Sequence, residues 1–119
     1  FTVLVVGRLV PVKRFDLVID AIALLVQQGV TIRLWIVGDG PSHTQLVDQV
    51  HTQNIGDHVS FLGNRDAAGL YAQADCCIRS SDSEGFSLVL MEALCAGLPA
   101  IVTDTPDCPK LVEHHQSGI

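Results

Sequence analysis

Basic residues are scarce in this chain. Seven lysines and arginines stand against 13 aspartates and glutamates, a formal net charge of −6. That balance excludes a broad nucleic-acid or anionic-membrane surface. The four cysteines, Cys76, Cys77, Cys95 and Cys108, form no C-x-x-C pair and no zinc spacing, which excludes a metal knuckle and a dithiol redox motif. They read as free, buried thiols in a reducing compartment. The five histidines, His43, His51, His58, His114 and His115, show neither H-x-x-x-H nor H-E-x-x-H, and each reads as a solvated side chain. No signal peptide and no span of about twenty uncharged residues occurs. The Walker pattern G-x-x-x-x-G-K-[ST] and the dinucleotide fingerprint G-x-G-x-x-G are both missing, so neither phosphate cradle is available. Internal repeats and low-complexity segments are absent as well.

What is present describes a folded domain. The 119 residues are 48% apolar and 17% charged, enough for one buried core. "TVLVVG" (2–7) is a continuous β-branched run ending in glycine, the mark of a strand buried on both faces. From Phe15 to Gln28, Leu17, Val18, Ala21, Ile22, Leu24 and Leu25 follow helical spacing, and Gly29 is the stop. "TIRLWIVG" (31–38) predicts the second strand, and Pro41 and Ser42 suit the start of a more polar helix running to about Gln53. "HVSFLG" (58–63) is a third strand, a short helix spans about 66–73, and "DCCIRS" (75–80) is a fourth strand. A helix at about 87–96, a strand at 99–104 and the beginning of a helix near Pro109–His114 complete the order. Adjacent Cys76 and Cys77 must then face opposite sides of their strand.

Five strand–helix alternations with continuous apolar strands predict a Rossmann-like three-layer α/β/α architecture on a mainly parallel sheet. Ligands of such sheets sit outside the carboxyl ends of the strands. The sharper signals fall at those ends. In "GRLVPVKRFD" (7–16), Gly7 lets the chain leave the strand tightly, and Arg8 and Lys13 return to the rim; with Arg14, three of the seven basic residues fall within seven positions. An arginine fork and a lysine near a helix start can hold a diphosphate, although the local spacing fits a solvated basic loop equally well. "EGFSL" (84–88) turns directly into a helix, so the amides of Phe86, Ser87 and Leu88 should face the mouth, with Gly85 permitting close approach of a ligand. Glu92 stands about a turn and a half into an otherwise apolar helix, where burial without a partner would be costly. Either Arg79 pairs with it, or a polar ligand such as a ribose reaches it. Glu84, beside the anion site, is suited to sugar hydroxyls.

These motifs resemble the C-terminal, donor-binding domain of retaining GT-B glycosyltransferases, the large family 4 (group 1) set, over essentially the whole length. The matching stretches are "GRLVPVKRFDLVIDAI", "LWIVGDGP", "VSFLGN", "YAQADCCIRSSDSEGFSLVLMEALCAGLPAIVTD" and "LVEHHQSGI". Among them the E-x7-E element from Glu84 to Glu92, followed by A-x-x-A-G-x-P, is the most specific.

The resemblance implies one half of a GT-B fold and transfer of a hexosyl group from a nucleotide-diphosphate sugar to an acceptor hydroxyl, with retention and without a metal. It implies that Arg8, Lys13 and Glu84 act in catalysis, and that Gly7, Gly63, Gly85, Phe86, Ser87, Leu88 and Glu92 bind the donor. No cofactor is implied; the donor is a UDP-sugar before a GDP-sugar, and the turn after "SFLG" borders the base. The partner is an N-terminal acceptor-binding domain of the same full-length chain, so residues 1–119 are expected to be a donor domain cut at both ends and inactive alone. A cytoplasmic location follows, with peripheral contact at the inner face of the membrane open to the full-length protein, in polysaccharide or lipopolysaccharide assembly. Two departures stand out. Arg79 replaces a usual proline, with Glu92, Asp82 or solvent as its destination, and Ser87 replaces a common glycine, which narrows the room beside the donor sugar. The competing readings are a non-catalytic nucleotide-sugar-binding module and a GT-B epimerase or phosphorylase. A receiver-like or NAD-binding domain is set aside, because the acidic cluster and the glycine fingerprint are missing.

Overall fold

The computed structural model describes residues 1–83 and 87–105. Five parallel strands, β1 (Thr2–Val6), β2 (Arg33–Val37), β3 (Val59–Gly63), β4 (Cys76–Arg79) and β5 (Ala100–Val102), lie in the order β3-β2-β1-β4-β5. The connecting helices are α1 (Phe15–Gln27), α2 (His43–Thr52), α3 (Ala68–Tyr71) and α4 (Leu88–Cys95). The alternation expected from the apolar runs is present through β5, with boundaries moved inward by up to three residues, and the helix expected near Pro109–His114 lies outside the described residues.

Period-2 side-chain alternation divides the core into two layers. Val3 and Val5 of β1 and Leu34 and Ile36 of β2 pack with Phe15, Val18, Ile19 and Ile22 of α1 and Leu46 and Val50 of α2. Leu4 and Val37 point the other way, to Tyr71 of α3 and Ala93 of α4. Cys76 belongs to the first layer and Cys77 to the second, as their adjacency on a strand demands. Leu4, Leu34 and Ile36 are fully buried, and each contributes about 2 kcal/mol of hydrophobic stabilisation.

The helix ends follow local chemistry. Gly29 and Val30 donate to the carbonyls of Val26 and Leu25, and φ of +80° at Gly29 closes α1 in a Schellman arrangement. Asn54, at φ +57°, does the same for α2 with Ile55 bonded to Val50. These stops return the chain to the sheet, so that β1, β2 and β3 all finish at one edge.

Candidate functional site

That edge is built by glycines in register. Gly7 donates to the Val37 carbonyl (3.0 Å) and Gly38 to the Gly63 carbonyl (2.8 Å), so the exits of three strands lie side by side. A Cβ at Gly38 would overlap the Gly7 carbonyl oxygen, and one at Gly40 would lie 2.5 Å from the Leu9 carbonyl oxygen. The two loops therefore touch through backbone alone, and bonds from Leu9 N–H to Asp39 and from Ser42 N–H to Leu9 lace them together.

A recess of about 300 Å³ opens beside this seam, lined by Gly7, Arg8, Gly38, Asp39, Asn64 and Arg65 among others. Arg8 is exposed on it. A smaller cavity of about 40 Å³ continues on the other side of Gly7, where Lys13 meets Ser80, Ser81, Ser87 and Leu90. Lys13 is half-buried and its stem runs over Gly7. The backbone carrying it forms a short 3-10 turn, Pro11–Lys13, ended by Arg14 at φ +53°. Ser80 Oγ donates to the Lys13 carbonyl (2.7 Å), and Asp82 N–H donates to the Val12 carbonyl (2.9 Å). The exit of β4 thus holds the exit loop of β1. Gly7, Arg8, Lys13 and Ser87 are brought to one mouth. Gly63 adjoins it through its bond to Gly38, while Leu88 is exposed at the start of α4. A larger cavity, about 450 Å³, lies outside the β1–α1 loop against α2, among Pro11, Arg14, Asp16, Gln45 and Asp82; it contains none of the expected site residues.

Glu84, Gly85 and Phe86 lie outside the described residues. Ser87 also has a part that its spacing did not suggest. It is the buried N-cap of α4, its Oγ accepting from Leu90 N–H at 3.1 Å. Leu88 and Val89 then carry the first-turn amides that no intrahelical carbonyl satisfies.

The expectations for Glu92 and Arg79 need correction. α4 buries only Leu90 and Ala93, and Glu92 projects from its uncovered side, exposed. Its carboxylate needs no rescue from burial, and the residue that reaches it is Tyr71, whose Oη donates to Oε2 at 3.2 Å. Arg79 is neither solvated nor matched with Glu92 or Asp82 among the described contacts. It is buried, and Nη2 donates to the Thr103 carbonyl at 3.3 Å. Asp82 instead receives Arg14, at 3.2 Å, and Arg14 also bonds Asp16 at 3.1 Å. The hydrogen bond to Asp16, and then its charge, raise the Arg14 pKa, fixing a cation that shapes the loop rather than the recess. Tyr71 was not visible as a site residue from spacing. The available signal was that a lone tyrosine in a core must place its hydroxyl somewhere polar.

The model of the family described as glycosyl transferases group 1 matches residues 1–119, the entire chain. The chain belongs to that family. Among curated relatives, an N-acetyl-alpha-D-glucosaminyl L-malate synthase of Bacillus anthracis is 38% identical over 90% of this domain. A GDP-mannose-dependent alpha-(1-6)-phosphatidylinositol dimannoside mannosyltransferase of Mycobacterium tuberculosis is 37% identical over 89%. This glycosyl transferase domain spans 28% of the length of each. Of solved structures, Anabaena HepE in complex with UDP superposes with a TM-score of 0.88 at 30% identity, over 99% of this chain and 34% of HepE. Among the described residues of the domain, no helix is long and apolar enough to cross a membrane.

Proposed function

We propose that this domain is the donor-binding half of a glycosyltransferase that moves a hexosyl group from a nucleotide-diphosphate sugar to an acceptor hydroxyl, with retention and without a metal ion. The observation that carries the reading is the convergence at Gly7. Bare backbone from β1 and β2 forms a floor there, Arg8 stands on one side, and Lys13 stands on the other with the start of α4. In this reading the two cations hold the diphosphate and stabilise the charge that grows on it as the glycosidic bond breaks, an electrostatic contribution that requires no reorganisation. The amides of Leu88 and Val89 add donors from a helix N-terminus. The base occupies the recess beside Asn64 and Arg65, Glu92 accepts from the ribose, and Glu84, Gly85 and Phe86 meet the transferred sugar. HepE, whose crystals hold UDP, favours a uridine nucleotide over the guanosine nucleotide named for the mycobacterial relative. The acceptor is read by a further domain of the full protein, whose location is cytoplasmic with peripheral contact at the membrane.

Calorimetric titration of the full chain with UDP, GDP and their hexose conjugates tests this. One nucleotide family should bind, and Arg8→Ala or Lys13→Ala should each weaken it about tenfold or more, the usual range for a hydrogen bond to a charged group. Transfer should persist in a chelator. Binding unchanged in both variants would remove the diphosphate from this mouth.

A further inference from the structure

We propose that Tyr71 is a positioning residue for Glu92: its phenol holds the carboxylate in the orientation that accepts the two ribose hydroxyls of the donor. This rests on the placement of the ribose at Glu92 and adds the element that makes that contact specific.

An exposed glutamate on a helix ordinarily samples several rotamers, and a ligand that uses it must first order it. Glu92 is exposed, but its neighbour is not. Tyr71 is 5% exposed, and its ring is fixed in the second core layer among Leu4, Val37, Cys77, Ala93 and Leu98. A rigid ring with two rotatable bonds carries its hydroxyl to a defined point. That point is 3.2 Å from Glu92 Oε2. Burial, and then the Glu92 hydrogen bond and charge, push the Tyr71 phenol well above its ordinary ionisation range, so it remains a donor at neutral pH. One donor occupies one lone pair of Oε2. The rest of Oε2 and all of Oε1 remain to accept from a vicinal diol. The tyrosine on α3 thus sets the direction of a carboxylate on α4, across 21 residues of sequence.

The readout is discrimination between UDP and 2′,3′-dideoxy-UDP, with GDP and its dideoxy form as a parallel pair, measured by calorimetry on the full chain. Each variant serves as its own control, since a general loss of structure weakens both members of a pair alike. The wild-type chain should prefer the ribose form about tenfold. Glu92→Ala should abolish the preference, and Tyr71→Phe should cut it to about threefold while leaving dideoxy binding unchanged. A preference retained in Tyr71→Phe but lost in Glu92→Ala would overturn the role of Tyr71 and leave the ribose contact standing. Equal weakening of both nucleotides in Tyr71→Phe would also overturn it, as a packing effect. A preference surviving Glu92→Ala, or no binding of either pair, would sink the ribose contact and the positioning role together. Should Tyr71→Phe fail to accumulate, 3,5-difluorotyrosine at position 71 retains ring and hydroxyl but ionises at lower pH. Among the described residues, the charged groups facing that phenol are Glu92 on α4 and Asp66 before α3, with the Cys77 thiol on β4. The ribose preference should then fall with rising pH as the phenolate forms, and a preference flat through that ionisation would refute the proposal.

Discussion

Replacing Gly38 by alanine tests whether the site rests on backbone contact. Gly38 has φ +139°, and a Cβ built there would overlap the Gly7 carbonyl oxygen and lie 2.9 Å from the carbonyl carbon. Both obstacles are main chain held by the β1–β2 ladder, so no side chain can swing away. Strain at a backbone conformation unsuited to a side chain costs about 1–3 kcal/mol, and forcing an extra carbon into packed structure about 1–3 kcal/mol more. A loss near 4 kcal/mol is therefore expected, out of a total stability of roughly 5–15 kcal/mol. For a domain of this size that lowers Tm by about 15 °C. Gly56 supplies the control, because its Cβ would meet nothing within 4 Å and its φ is not in the restricted range. Gly56→Ala should melt within about 2 °C of the parent. Urea unfolding followed by circular dichroism measures both, at constant slope. A Gly38→Ala midpoint matching that of Gly56→Ala would refute the argument that the two loops touch through bare backbone.

Two further outcomes follow from groups away from the recess. Ser87→Ala removes the N-cap of α4, whose Oγ accepts from Leu90 N–H, and should cost about 1 kcal/mol by the same urea assay; an unchanged midpoint would show that the cap is not used. Desolvation pushes the Cys76 thiol up to about 11 and the Cys77 thiol up to about 12, from an ordinary 9.0. Mass-resolved alkylation at pH 8 should therefore modify exposed Cys95 and reach Cys76 and Cys77 only in denaturant, and equal native rates would contradict their burial. Because those folded-state values are raised, their stabilisation is complete below about pH 9 and declines as pH climbs through about 11 to 12.

The strands were legible because they carry continuous apolar runs ending in glycine, and a parallel sheet leaves no other use for them. Their spatial order, with β1 central between β2 and β4, was not legible in the same way and is seen only in the pairing of the strands. The mouth was legible for a related reason: Gly7, Arg8 and Lys13 follow the first strand directly. What escaped were pairings set by tertiary contact. Glu92 lies in an apolar stretch, and only the packing of α4 shows that one narrow face is covered while the glutamate side is not. Arg79 was expected to meet Glu92, Asp82 or solvent, and Arg14 stood out only as part of a basic stretch. Their partners, Thr103 for the first and Asp16 with Asp82 for the second, depend on where β5 and the loop after β4 arrive. Ser80 is similarly silent in the sequence, since its bond to the Lys13 carbonyl spans 67 positions.

That long-range stitch bears on the order in which a growing chain acquires its parts. β1, β2 and β3 with α1 and α2 precede residue 64 and can pair as a half-sheet while the ribosome is still adding residues. The turn carrying Lys13 takes its shape from Ser80 and Asp82, and these emerge only after the central gap beside β1 has been filled by β4. A nascent chain therefore owns a hydrophobic core before the turn carrying Lys13 is held in place. On the proposed reading, the donor mouth is complete only once β4 and the loop after it have docked against the β1 exit.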